Sequence, residues 1–142
     1  MSLYKYFSTL IFLFILIAGC SEDTPLQPAP PDNQPAVKLS TFSEIQRQVF
    51  NPSCAVSGCH AGANPAANLD LTAANSYNEL VDQNSLLDPP RKLVDPGSSA
   101  ESVLVLILRG TVTPRMPYQA PALSAATIDS IAKWIDQGAL NN

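Results

Sequence analysis

The 142-residue chain predicts an all-α fold of about four short helices joined by long loops. Three observations point there. No run of the sequence sustains the apolar–polar alternation of a half-buried strand. Thr41-Phe42-Ser43-Glu44 and Ser98-Ser99-Ala100-Glu101 have the Ser/Thr-x-x-Glu form of a capping box, each just ahead of apolar residues. Ile128, Ile131, Ala132 and Ile135 make one stripe at helical spacing, followed by Gly138 at a helix-stop position.

In the first helix, Thr41 caps, Glu44 reaches back, and Phe42, Ile45 and Val49 face inward. Asn51-Pro52 is expected to stop it at Phe50. A second helix is expected over 73–81, capped by Thr72, with Tyr77, Leu80 and Val81 inward. Asp88-Pro89-Pro90 forbids helix beyond it. The box Ser98–Glu101 is expected to open a third helix over the apolar run 103–108, with Gly110 as its stop; six consecutive apolar residues also fit a buried strand. In the last helix Ser124 is the cap and Leu123 can staple onto Ile128. Asp129, Lys133 and Asp136 form its wet side, and Trp134 flanks its stripe. Helices this sparse bury little of one another at about 25 cal/mol per Å², so something else is expected to fill the centre.

The chain divides into three. Residues 1–19 read as a signal peptide: Lys5 supplies a short positive region, and Leu10–Ala18 is an apolar run of nine residues. A spanning helix needs about 20. The run ends in Leu16-Ile17-Ala18-Gly19-Cys20, which resembles the lipobox of bacterial lipoproteins. That resemblance implies lipidation of Cys20 as the new N-terminus and a bacterial cell-envelope location, with Ser21 favouring the outer membrane, facing the periplasm. An ordinary signal peptide or an uncleaved anchor is the other reading. Residues 20–38 carry the lipidated Cys and a tether with five prolines and almost no large apolar side chain. At about 3.1 Å per residue it reaches roughly 55 Å. The folded domain is expected over 39–142.

Composition narrows the function. Twelve acidic against eight basic residues give a net charge of −4, with no basic footprint for nucleic acid. A single His excludes sites that need two. Three Cys are too few for a disulfide-stapled fold. The envelope is oxidising, so thiols there do not stay free by default.

The chemistry concentrates in Cys54-Ala55-Val56-Ser57-Gly58-Cys59-His60, a C-x4-C-H run. Covalent haem attachment needs two thiols for the two vinyl groups and an imidazole beside the second thiol for the iron. The usual solution is C-x-x-C-H, and two further residues can loop out between the cysteines. A Cys54–Cys59 disulfide also fits the spacing. So does zinc on Cys54, Cys59 and His60 with a carboxylate or water as fourth ligand. A redox dithiol usually wants C-x-x-C.

The run resembles that of c-type cytochromes in their four-residue-spaced variant. The resemblance implies Cys54 and Cys59 as thioether links, His60 as proximal iron ligand, and one covalent haem c. The His60 ring then needs an acceptor for its other nitrogen, expected among the carbonyls of residues 61–68. Met116 is the one methionine left after signal removal. It sits in Pro114-Arg115-Met116-Pro117 between two helices, placed as distal ligand. Further stretches match the planctomycete-type cytochrome-c-like domains of bacterial envelope lipoproteins: Asn68-Leu69-Asp70-Leu71, Val94-Asp95-Pro96-Gly97-Ser98 and Leu123-Ser124 through Trp134-Ile135-Asp136-Gln137-Gly138-Ala139. Ala61 departs from them, where Gly often follows the His.

The fold this implies is cytochrome c-like, with the helices and loops wrapped around the haem. Phe42, Val49, Phe50 and the faces 103–108 and 128–135 would wall it, and Arg91, Lys92, Arg109 and Arg115 are candidates for its propionates. The function implied is a membrane-tethered one-electron carrier, not an enzyme, exchanging electrons with redox partner proteins; an acidic surface favours a basic partner patch. Two alternatives remain at this stage. One is a gas-sensing or peroxidase-like domain with an open sixth position. The other is a haem-free lipoprotein module closed by a disulfide.

Overall fold

Thr41 does cap the first helix. Its side chain accepts from Glu44 N–H, and the Glu44 carboxylate accepts from Ser40 and Thr41 N–H, at 2.8 and 3.2 Å. The computed structural model describes residues 39–142. The signal segment, Cys20 and the proline-rich stretch lie outside the described residues.

Helix α1 (Phe42–Ile45) does not stop at Phe50 as expected. It runs on through a π-helical turn (Gln46–Phe50) into α2 (Asn51–Ser53) without a break. Proline inside a helix lacks a donor and presses on the carbonyl four residues back. Widening the preceding turn to five-residue spacing, seen in Asn51 N–H donating to Gln46 O, admits Pro52 in helical register. Helix α3 (Ser76–Leu80) is shorter than the expected 73–81. Residues 73–75 form a turn, and the Thr72 carbonyl accepts from both Asn75 and Ser76 N–H.

Helix α4 (Val103–Arg109) settles the ambiguous apolar run as helix, ended by Gly110 in the left-handed region at φ 78°. Its cap is Ser102, not Ser98, so the second capping box does not form. Ser102 Oγ donates to Ser98 O at 2.8 Å, while the Glu101 carboxylate turns outward to Arg91. Helix α5 (Ala125–Asp136) matches expectation: Ser124 Oγ accepts from Thr127 N–H at 3.1 Å, and Ile128, Ile131, Ala132 and Ile135 are buried. Trp134, beside the stripe, is buried with them, only 2% exposed. The architecture of the described residues is all-α, and their extended pairings are isolated bridges.

The packed half of the molecule gathers on Phe42. Its ring lies 5.1 Å from Tyr77 and 6.2 Å from Phe50, both edge-on, and 5.3 Å from Trp134. The C-terminal tail is tied down over this cluster. Tyr77 OH donates to Ala139 O, Trp134 Nε1 to Leu140 O, and Ser43 N–H to Asn142 O, each at 2.9 Å. Both ends of the described chain therefore close one core. Phe42→Ala should cost about 3–5 kcal/mol, read as a lowered urea midpoint with little change in slope. A loss below 1 kcal/mol would mean that this cluster is not the keystone.

Candidate functional site

The C-x4-C-H run begins where α2 ends. Cys54 leaves helical geometry while its N–H still donates to Phe50 O at 2.9 Å. The loop closes on itself, with His60 N–H donating to Cys54 O at 3.1 Å and Cys59 N–H to Val56 O at 3.0 Å. Gly58, at φ 82°, supplies the positive φ that a type II turn needs at its third residue. Val56, Ser57 and Gly58 are exposed, so the extra length between the cysteines loops outward and leaves the Cys59-His60 pair held.

His60 is fixed from three sides. Besides its own N–H bond, its carbonyl accepts from Leu71 N–H at 2.8 Å, and its Nδ1 lies 3.2 Å from Leu69 O. A carbonyl only accepts, so Nδ1 is the donor, and in the neutral ring this tautomer leaves the lone pair on Nε2. The acceptor is one residue beyond the expected window of 61–68. Ala67 and Asn68 both take left-handed φ, 55° and 54°, in the short 3-10 turn Ala66–Asn68. They swing the chain so that residue 69 presents its carbonyl to the ring.

Cys54, Cys59, His60 and Met116 all line one cavity of about 710 Å³, within the roughly 300–1,000 Å³ range of small-molecule and cofactor sites. Met116 arrives from the loop between α4 and α5, with its N–H donating to Ile107 O at 3.1 Å. The sequence-predicted iron ligands and thiols therefore converge on one space, although Met116 lies 56 positions after His60.

The walls are only partly those expected. Val49, Phe50, Val103, Leu104, Ile107 and Leu108 line the cavity. Phe42 and α5 do not: they pack in the core behind, and Ile128 borders a separate cavity of about 360 Å³ with Leu123. The missing wall comes from loops, through Leu69, Leu71, Leu93, Pro114 and Pro117, and from Leu80 of α3. Leu86, Leu87 and Tyr118, three of the large side chains left most exposed, also line it.

The four cations considered for propionates stand elsewhere. Arg91 pairs with Asp88 and Glu101 at 2.8 and 3.0 Å, Lys92 with Asp82 at 2.8 Å, and Arg109 with Asp129 at 2.9 Å. Arg115 lies over Gly110 and donates to Ala120 O at 2.9 Å. None of them lines the cavity; its polar side chains include the amides of Asn68, Asn78, Gln83 and Asn84 and the Glu79 carboxylate.

Both thiols are free. Among the described residues no three His, Cys, Asp or Glu side chains converge as a metal-binding group, so Cys54, Cys59 and His60 do not form a zinc-type set. Burial, and secondarily the nearby Cys59 sulfur, push the Cys54 thiol up to about 11. No family model, curated protein or solved structure matches the chain. Among the described residues no helix is long and apolar enough to cross a membrane.

A thiol whose pKa is raised on folding stabilises the fold below its unfolded value and loses that contribution as pH rises through the folded one. In the reduced, unmodified chain, stability should therefore fall between about pH 9 and pH 11. Cys54→Ala should remove that part of the slope in urea titrations across the range. Identical slopes would show that the Cys54 sulfur is not desolvated.

Proposed function

We propose that the chain is a single-haem c-type cytochrome with a cytochrome c-like fold, a one-electron carrier tethered by lipid on Cys20 in the bacterial cell envelope. The observation that carries this reading is the convergence of Cys54, Cys59, His60 and Met116 on one large apolar cavity.

The fit rests on chemistry as well as on size. Cys54 and Cys59 would hold the group through thioether bonds, each thiol adding across a vinyl group. His60, with Nδ1 committed to Leu69 O, would offer Nε2 to the iron, and Met116 would offer its sulfur. Haem bound there supplies an iron that changes by one electron between its ferric and ferrous states.

The remaining functions belong to the protein. With both His60 and Met116 held to it, the iron would have no position left for a substrate, which favours transfer over catalysis. A thioether ligand raises the potential by favouring the ferrous state. The Leu69 carbonyl makes His60 a more basic ligand and fixes its ring plane. The apolar wall excludes water and lowers the local dielectric, and ligands fixed on a hydrogen-bonded backbone keep reorganisation small. The tether lets the domain meet redox partners away from the bilayer, and net acidity favours partners with a basic patch.

The test is to mature the full chain in a host with haem-attachment machinery. A pyridine haemochrome assay should report one covalent haem, lost in the Cys54→Ala/Cys59→Ala double variant. Met116→Ala should abolish the iron–thioether charge-transfer band of the ferric protein and open the iron to CO. A wild-type chain found bare, or bridged between the two sulfurs, would overturn the reading. A high-spin wild type with fast CO binding would instead favour an open-site sensor.

A further inference from the structure

Gln46 is buried in the π-helical turn, on the same face as Phe42 and Val49. An apolar side chain there would simply extend the stripe. Instead every polar atom of the amide is used. Nε2 donates to Leu71 O at 2.9 Å and to Asn51 Oδ1 at 2.7 Å, and Oε1 accepts from Ser76 Oγ. The Leu71 carbonyl can only accept, which fixes which end of the amide is nitrogen.

The target of that amide matters. Residues 69–71 are irregular backbone, with no ladder to hold them. Leu69 O receives the His60 ring, Asp70 N–H donates to the Glu79 carboxylate, Leu71 N–H donates to His60 O, and Leu71 O receives Gln46. The side chain of Leu71 packs in the same core as Phe42, Val49 and Phe50, and the Gln46 amide adds a directional hydrogen bond from the α1–α2 rod, which also delivers Cys54, to the backbone of this stretch.

We infer that Gln46 is a positioning residue for the axial histidine: it anchors the 69–71 stretch so that the Leu69 carbonyl holds the His60 ring. The inference rests on the cytochrome reading for its redox consequence, but not for its geometry. Removing the amide frees Leu71 O, loosens the Leu69–His60 bond, lowers the basicity of the ring and destabilises the ferric state relative to the ferrous.

The experiment uses the full chain matured as above, as wild type, Gln46→Leu and Ser76→Ala. Ring ¹⁵N shifts of His60 and the reduction potential are read on the same samples. Support is a changed Nδ1 shift and a raised potential in Gln46→Leu, with a smaller change of the same sign in Ser76→Ala, where the Leu71 contact remains but the amide is less fixed. Should Gln46→Leu fail to fold, the Ser76→Ala result decides. Unchanged ring shifts and potential, with only a lowered unfolding midpoint, would make Gln46 a structural brace and overturn the inference. If the wild type carries no haem, the haemochrome assay has already removed the carrier reading. The ring shifts then decide the inference alone: an Nδ1–H tautomer lost in the variants supports it, and one retained overturns it.

Discussion

Residues 54–71 hold their shape by hydrogen bonds between irregular segments, and the candidate site depends on that constraint. A helix or sheet satisfies its backbone by repetition. This stretch has only local turns and a few long-range acceptors: Cys54 O for His60, Cys59 O for Ala66, His60 O for Leu71 and Leu69 O for the imidazole. A buried donor or acceptor left unmade costs roughly 1–3 kcal/mol, so each bond also selects against other loop shapes. The conformation that results places the Cys59 and His60 side chains on the wall of one cavity.

Two regions of different character follow from this. One is dense, with Phe42, Tyr77, Trp134 and the α5 stripe closed under the C-terminal tail. The other is hollow, and α4 serves both. Val105 packs in the dense core, Ile107 lines the cavity, and Leu104 and Leu108 do both. A seven-residue helix with apolar side chains on nearly every side is not amphipathic in the usual way. The run Val103-Leu104-Val105-Leu106-Ile107-Leu108 makes sense as a partition between a packed core and an apolar space. Leu86, Leu87 and Tyr118 line the same space and are exposed.

What could be read from sequence was whatever rests on local chemistry. Thr41 with Glu44, Ser124, Gly110 and Gly138 act through near neighbours, and all four positions behave as their residue types dictate. The cavity position of Met116 followed from its solitude and its flanking prolines. What escaped was set by distant partners. Ser98–Glu101 has the form of a capping box, but Arg91, ten residues before Glu101, takes that carboxylate. Pro52 is a helix breaker until the turn before it widens. The Leu69 acceptor depends on left-handed residues at Ala67 and Asn68; asparagine favours that conformation, but alanine does not announce it. Gln46 did leave a signal, since it lies four residues after Phe42 and three before Val49. A polar residue on an apolar stripe points to a buried partner.

The acidity of the chain has a structural use. In a fold with so little regular backbone, carboxylates take over as acceptors for loop N–H groups. Glu44 receives Ser40 and Thr41, Asp70 receives Thr72, Glu79 receives Asp70, and Asp136 receives Ser99. Asp82, Asp88, Glu101 and Asp129 instead meet the basic side chains in ion pairs at the surface, where solvent screens the attraction. The first group matters more to shape, because each member organises backbone that would otherwise turn to water. Backbone hydrogen bonds hold the Glu44 and Asp70 carboxyls below their usual range, so that bracing is present above the ordinary carboxylate pKa and fades as pH falls through the lowered values. Of the nine carboxylates among the described residues, four are thus engaged in holding loops. Neutralising Asp70 or Glu79 would therefore disturb the stretch that orients His60.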